Sequence, residues 1–187
     1  MSRGPDSLIP MHGGFRNLKT FQLAELIYDI TVRFCDAYIA IRSRTHDQMV
    51  QSARSGCQNV AEGSMDSATS KKMELKLTGV ARGSLMELRL DYENYLRQHN
   101  LPQWKPDHPA LTRFKARRCA SIPDFRKWVA EECSLGNAAA AVAANGALSL
   151  LNLCLYLLGR QLDAQARAFA RDGGFTEKLY QFRKRHG

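Results

Sequence analysis

The sequence predicts an all-α protein, a tightly packed helical bundle, and three observations support this. First, residues 48–64 (QMVQSARSGCQNVAEGS) and 77–88 (LTGVARGSLMEL) place small residues where helices usually carry bulky ones. Ala53, Ser55, Gly56 and Ala61 fall in the first stretch; Gly79, Ala81, Gly83 and Ser84 fall in the second. A glycine inside a helix costs about 0.8–1 kcal/mol relative to alanine, and close approach of another helix backbone is the simplest compensation. Second, apolar residues recur at alternating steps of three and four, the spacing of a bundle seam. Third, strand signals are weak: β-branched residues are sparse and no alternating run is flanked by Asn-Gly or Asp-Gly.

The elements follow in order. A first helix is expected over residues 17–44, with Phe21, Ala24, Tyr28, Thr31, Cys35 and Tyr38 as its seam. Ile27, Phe34 and Ile41 widen that face, and Leu23, Ile30 and Ala37 add a further stripe, more apolar coverage than one bundle core needs. The excess predicts packing against copies of the chain, because a monomer exposing it would aggregate. Thr45 to Gln48 (THDQ) reads as a capping box, and Gly63 as the left-handed residue that closes the second helix. The third helix is expected over residues 71–99, with Leu77, Ala81, Ser84, Leu88 and Tyr95 at bundle spacing. Gly83 is expected at a tight contact, so that Gly83→Leu would overpack it.

Pro102, Pro106 and Pro109 then break the pattern, since proline fits poorly inside a helix. Two short helices are expected, one after Asp107 with Pro109 in its first turn and one after Ser121 with Pro123 in its first turn. Asn137 is placed to cap a long uncharged helix running to about residue 171. Gly173 and Gly174 stop it, and Thr176 caps a last basic helix that ends in Arg183, Lys184 and Arg185.

A length of 187 residues suits one domain burying roughly 70% of its unfolded surface. The five cysteines lack CxxC or CxxxC spacing and read as buried reduced thiols of a cytoplasmic protein. His99 and His108 flank a proline turn without carboxylate partners, so no metal site and no cofactor are expected. No secretory signal is visible at the start. Residues 137–159 are uncharged over nearly a membrane-spanning length. Their alanines and Asn137, Asn145 and Asn152 instead favour a helix buried in an assembly, and no membrane partner is expected.

The net charge of +9 is uneven. Residues 1–104 carry 13 basic and 11 acidic side chains, residues 105–127 carry 7 and 2, and residues 160–187 carry 7 and 3. Localised basic excess points to a polyanion such as RNA or DNA. Three patches are the candidate nucleic-acid contacts. They are Lys71, Lys72 and Lys76 at the start of the third helix, Arg113, Lys115, Arg117 and Arg118 in the middle of the chain, and Arg183, Lys184 and Arg185 in the tail. Lysines at a helix N-terminus oppose the helix dipole unless an anion compensates. Phe114 and Trp104, near the second patch, can stack on unpaired bases or pin a short helix to the bundle. Glu62 and Glu87 lack a nucleophile or histidine partner, so they are read as bonding helix ends or Arg54 and Arg82, and no catalytic residue is assigned. No GxxxxGK phosphate loop is present.

The array Gln51-x-x-Arg54-Ser55…Asn59-Val60-Ala61-Glu62-Gly63, followed by Ala81-Arg82-Gly83-Ser84-Leu85-x-Glu87-Leu88, resembles the four-helix-bundle family of 23S rRNA intervening-sequence proteins. That family includes the accessory variability determinant proteins of diversity-generating retroelements. The likeness covers about residues 15–98, and residues from Asn137 to Arg183 resemble the C-terminal suffix of one branch. It implies an up-down-up-down four-helix bundle that assembles as a homopentamer, a non-enzymatic accessory that binds RNA and a reverse transcriptase. On this reading residues 1–14 are a flexible N-terminus and 15–99 are bundle helices 1–3. Residues 100–136 are a short helical insertion, 137–172 are bundle helix 4, and 173–187 are a basic helical suffix. The insertion departs from the family's brief connection and can cover a surface used elsewhere. The rival reading is a protein-interaction scaffold with incidental charge; a membrane-associated helical protein is a third.

Overall fold

The computed structural model describes residues 14–172 and residue 184. Residues 1–13 lie outside the described residues. So do 173–183 and 185–187, where the sequence predicts the Gly173–Gly174 stop, the Thr176 cap, Arg183 and Arg185. Among the described residues there are six α-helices and no strand: α1 Lys19–Tyr38, α2 Arg44–Asp66, α3 Lys71–Gln98, α4 Pro109–Arg117, α5 Ile122–Ser134 and α6 Ala139–Asp172. A single 3₁₀ turn, Phe15–Asn17, precedes α1. The all-α expectation holds. Helix α1 packs on α2, α2 on α3, α3 on α6 and α6 on α1, while α4 and α5 lie against α6 and α5 also touches α1.

The predicted seam of α1 is inside: Ala24, Thr31 and Cys35 are fully buried, and so is Ile27 beside them. Thr31 donates back to the Ile27 carbonyl at 2.8 Å and accepts from the Tyr92 hydroxyl of α3 at 3.1 Å. A polar pair is thereby satisfied in the core. Burial pushes the thiols of Cys35 and Cys154 up to about 12 and that of Cys57 to about 11, which keeps them protonated.

Several boundaries differ from expectation. Helix α1 stops at Tyr38, six residues early, where Ile39 turns extended and its N–H bonds the Cys35 carbonyl. No glycine or proline marks that break. Ser43, not Thr45, caps α2, its Oγ accepting from the Thr45 N–H at 3.2 Å. Gly63 does not end α2 but lies buried within it. Asn137 does not cap α6. Its side chain donates to the Glu132 carbonyl at 3.3 Å and so closes α5, while α6 begins with Val142 N–H bonding Ala138. The proline-opened helices α4 and α5 are as predicted, capped by His108 and Ser121.

The small residues divide into two kinds. A Cβ on Gly56 would lie 2.6 Å from Leu85 Cγ and one on Gly63 3.3 Å from Leu77 Cβ, so these two glycines let α2 and α3 approach. Ser55 and Ser84 hydrogen-bond across the same seam at 3.0 Å. Gly79 and Gly83 have nothing within 4 Å of such a Cβ. Contrary to expectation, Gly83 makes no tight contact within the chain.

The extra apolar stripe of α1 is also partly resolved within the chain. Ile30 and Phe34 are buried, and with Ile122, Phe125 and Val129 of α5 they line one groove. The apolar surplus on α1 is therefore weaker ground for self-association than the sequence alone indicates, although Ile41 remains 76% exposed. On its other side α5 meets α6. There Trp128 is fully buried, and a Cβ on Gly146 would lie 2.5 Å from its ring. The alanine-rich run Ala141–Leu148 is buried on every side for this reason. Helix α6 is long and apolar enough to cross a membrane, and 72% of its most apolar window is buried in the protein.

Candidate ligand cleft and basic surface

The proline-rich segment after α3 is held across α6 by one side chain. Asn145 is 1% exposed, and its Oδ1 accepts from the Trp104 N–H at 2.7 Å. Its Nδ2 donates to the carbonyls of Pro102 at 2.9 Å and Ala141 at 2.8 Å. Trp104 stacks on His108 with centroids 4.3 Å apart and planes 5° from parallel. His108 Nδ1 in turn accepts from Ala110 N–H at 3.3 Å, starting α4. Helix α4 is anchored by Phe114, which is buried against Trp128 at 4.4 Å. Of the two roles open to Phe114, pinning is the one observed.

Between this segment, α4, the start of α1 and the flank of α6 lies a cleft of about 670 Å³. Leu23, Leu111, Phe114, Leu148 and Leu150 are its buried apolar lining. Lys19, Lys115 and Arg118 are exposed at its rim, with Leu153 45% exposed beside them. No Asp, Glu or His lines it among the described residues. Arg118 caps α4 in the left-handed conformation, φ 51°.

Of the predicted basic residues that are described, Lys115 and Arg118 line the cleft together and Lys71, Lys72, Lys76, Arg113, Arg117 and Lys184 do not line it. Lys71 pairs with Glu74 at 3.1 Å, and Glu74 also accepts from Gln165 of α6 at 3.0 Å. The carboxylate that the helix dipole calls for thus lies in the first turn of α3. Lys72 and Lys76 are exposed with no partner among the described residues. Arg113 makes a bidentate pair with Glu132, both bonds 2.7 Å. Arg117 pairs with Glu131, and Lys115 donates to the Pro106 carbonyl at 2.6 Å. Of the mid-chain patch only Arg118 has no such side-chain partner among the described residues. Lys184 is exposed in the tail.

No family model matches the chain, and no curated protein or solved structure matches it either. The cleft's chemistry is therefore read from its own residues.

Sequence reasoning missed Lys19 and the role of Asn145. The signal for Asn145 was present: an amide in an otherwise apolar helix must find partners once buried. Lys19 carried none, since it belongs to no basic run. No group of three His, Cys, Asp or Glu side chains that could hold a metal occurs among the described residues. The cleft supplies cationic attraction above apolar contact.

Proposed function

We propose that this protein is a non-enzymatic, homo-oligomeric accessory protein that binds RNA or DNA. It would be built as an up-down-up-down four-helix bundle with α4 and α5 inserted before the last bundle helix and a basic suffix after it. The observation that supports binding is the outward face of α3. From Lys71 to Met86 its sole carboxylate, Glu74, is taken by Lys71 and Gln165, leaving Lys72, Lys76 and Arg82 exposed. Arg118 adds a further exposed cation, and the tail sequence Arg183-Lys184-Arg185 adds three more positive charges. Arg113, Lys115 and Arg117 are engaged within the chain and contribute little. Repetition of the α3 face around a ring of subunits multiplies its attraction for a polyanion.

The test is a salt titration of binding to a single-stranded oligoribonucleotide. Lys72→Glu with Lys76→Glu should weaken binding and lower the log–log salt slope by about 0.7–0.9 for each phosphate no longer neutralised. Base sequence should matter little, because phosphate contacts carry no direct sequence information. No salt-sensitive binding near physiological ionic strength would overturn this reading.

The scaffold reading is favoured by one observation, the internal pairing of the insertion's cations. Its outcome is a stable complex with a protein partner, a reverse transcriptase being the one the family resemblance implies, and no RNA retention.

A further inference from the structure

We propose that the cleft between Trp104, α4 and α6 binds an amphipathic organic anion, an acid head group carried on an apolar body. The site lies apart from the α3 face and shares Arg118 with the cations proposed for nucleic-acid binding. Three features select this class. The volume of about 670 Å³ lies within the range of pockets that enclose drug-sized ligands. Its lining is graded, with Leu23, Leu111 and Leu148 no more than 5% exposed while Lys19 and Arg118 stand in solvent at the rim. Among the described residues no carboxylate lines the cleft to offset that rim, so an anionic head gains attraction and a cationic one is repelled.

A nucleotide base fits this lining poorly. Asn145, the buried amide of the lining, is committed to Trp104, Pro102 and Ala141, and the other polar side chains there, Gln103, Ser149 and Asn152, stand at partly or fully exposed positions away from the buried floor. The aromatic rings are engaged as well: Trp104 stacks one face on His108, and Phe114 is buried against Trp128. What the floor offers is aliphatic contact, worth about 0.8 kcal/mol per methylene buried, and what the rim offers is positive charge. A straight-chain carboxylate uses both.

The full-length chain is titrated with decanoate, decanol and decyltrimethylammonium, each below micelle formation. Calorimetry and tryptophan emission are the readouts. Trp128 is fully buried, so a change removed by Trp104→Phe reports the cleft. Decanoate should bind one per chain, at least about tenfold tighter than decanol, equivalent to about 1.4 kcal/mol, with the ammonium weakest. Arg118→Asn combined with Lys19→Gln should erase the acid's advantage and leave decanol unchanged. Asparagine tolerates the left-handed backbone at 118, so this variant keeps its fold. Ser149→Phe, which fills the cleft, should abolish binding of all three. Equal affinity for acid and alcohol overturns the proposal, as does a preference that survives removal of both cations. Tighter binding of a short oligouridylate than of decanoate at the same site overturns it in favour of a nucleic-acid seat.

Discussion

The carboxylate of Glu132 is 1% exposed and holds Arg113 through two 2.7 Å bonds, joining α5 to α4. The Arg113 hydrogen bonds, outweighing burial, hold Glu132 below the usual glutamate value of 4.5. An acid whose folded pKa is depressed stabilises the fold above its unfolded value, and that contribution is lost as pH falls through the folded one. The melting temperature of the unmodified protein should therefore drop more steeply below about pH 4.5 than that of Glu132→Gln. At neutral pH Glu132→Gln should cost about 1–3 kcal/mol, the range for a buried polar group that loses its match. Arg113→Ala should lower the melting temperature further, because it strands a buried carboxylate, and should leave RNA affinity nearly unchanged. Reduced affinity with unchanged stability would return Arg113 to the binding surface. The sequence shows Arg113 inside a basic run and Glu132 nineteen residues later, so nothing local reveals that the two neutralise each other.

Among the elements, the glycines of the helices carry opposite expectations. Gly146→Ala drives a methyl into Trp128 and should destabilise by about 1–3 kcal/mol in chemical denaturation. Gly79→Ala meets nothing within 4 Å and should stabilise an isolated chain by up to about 1 kcal/mol through helix propensity alone. If Gly79→Ala destabilises instead, another chain covers that face. The order of the six described helices and the proline-opened starts of α4 and α5 were legible because periodicity and Pro at the first turn are local signals. The α1–α2 join was not: Ile39 to Ser43 contain no breaker, and Ser43 and Thr45 are equally competent caps. The tight glycines were legible as a class, but which neighbour each one meets depends on tertiary placement.

At the scale of the whole molecule, α4 and α5 occupy a flank that the apolar pattern of α1 suggests for other subunits. Among the side chains that remain outward and apolar, Val80 at 43% and Leu90 at 51% exposed share α3 with the open Gly79 and Gly83. The proposed ring of about five subunits should close through the part of this face from Gly79 to Leu90, leaving Lys72 and Lys76 in the first two turns of α3 open to RNA. Native mass spectrometry should show one high-order species that Gly83→Leu breaks into smaller ones without lowering the stability of each chain. A stable monomer of the unmodified protein at micromolar concentration would sink the ring. The cleft was the least legible feature, because it is assembled from four separated segments. Lys115 and Arg118 stand out in the sequence only as members of a basic run, and nothing there ties them to Lys19 or Leu148.

Helix α6 is packed on α1, α3, α4 and α5, and it is synthesised after all of them. Contacts such as Thr20 to Gln161 at 2.9 Å and Cys154 to the Thr20 carbonyl at 3.7 Å join residues more than a hundred positions apart. At roughly 5–20 residues per second of translation, the first three helices wait for several seconds with an unfilled groove where α6 will lie. The nascent chain should therefore remain protease-sensitive until most of α6 has left the ribosome, then gain resistance in a single step. Stalled chains ending near residue 136 should be degraded and held by chaperones, whereas chains extended past α6 should be protected. The same apolar run that gives the finished protein its central helix delays the closing of its core until that helix has emerged.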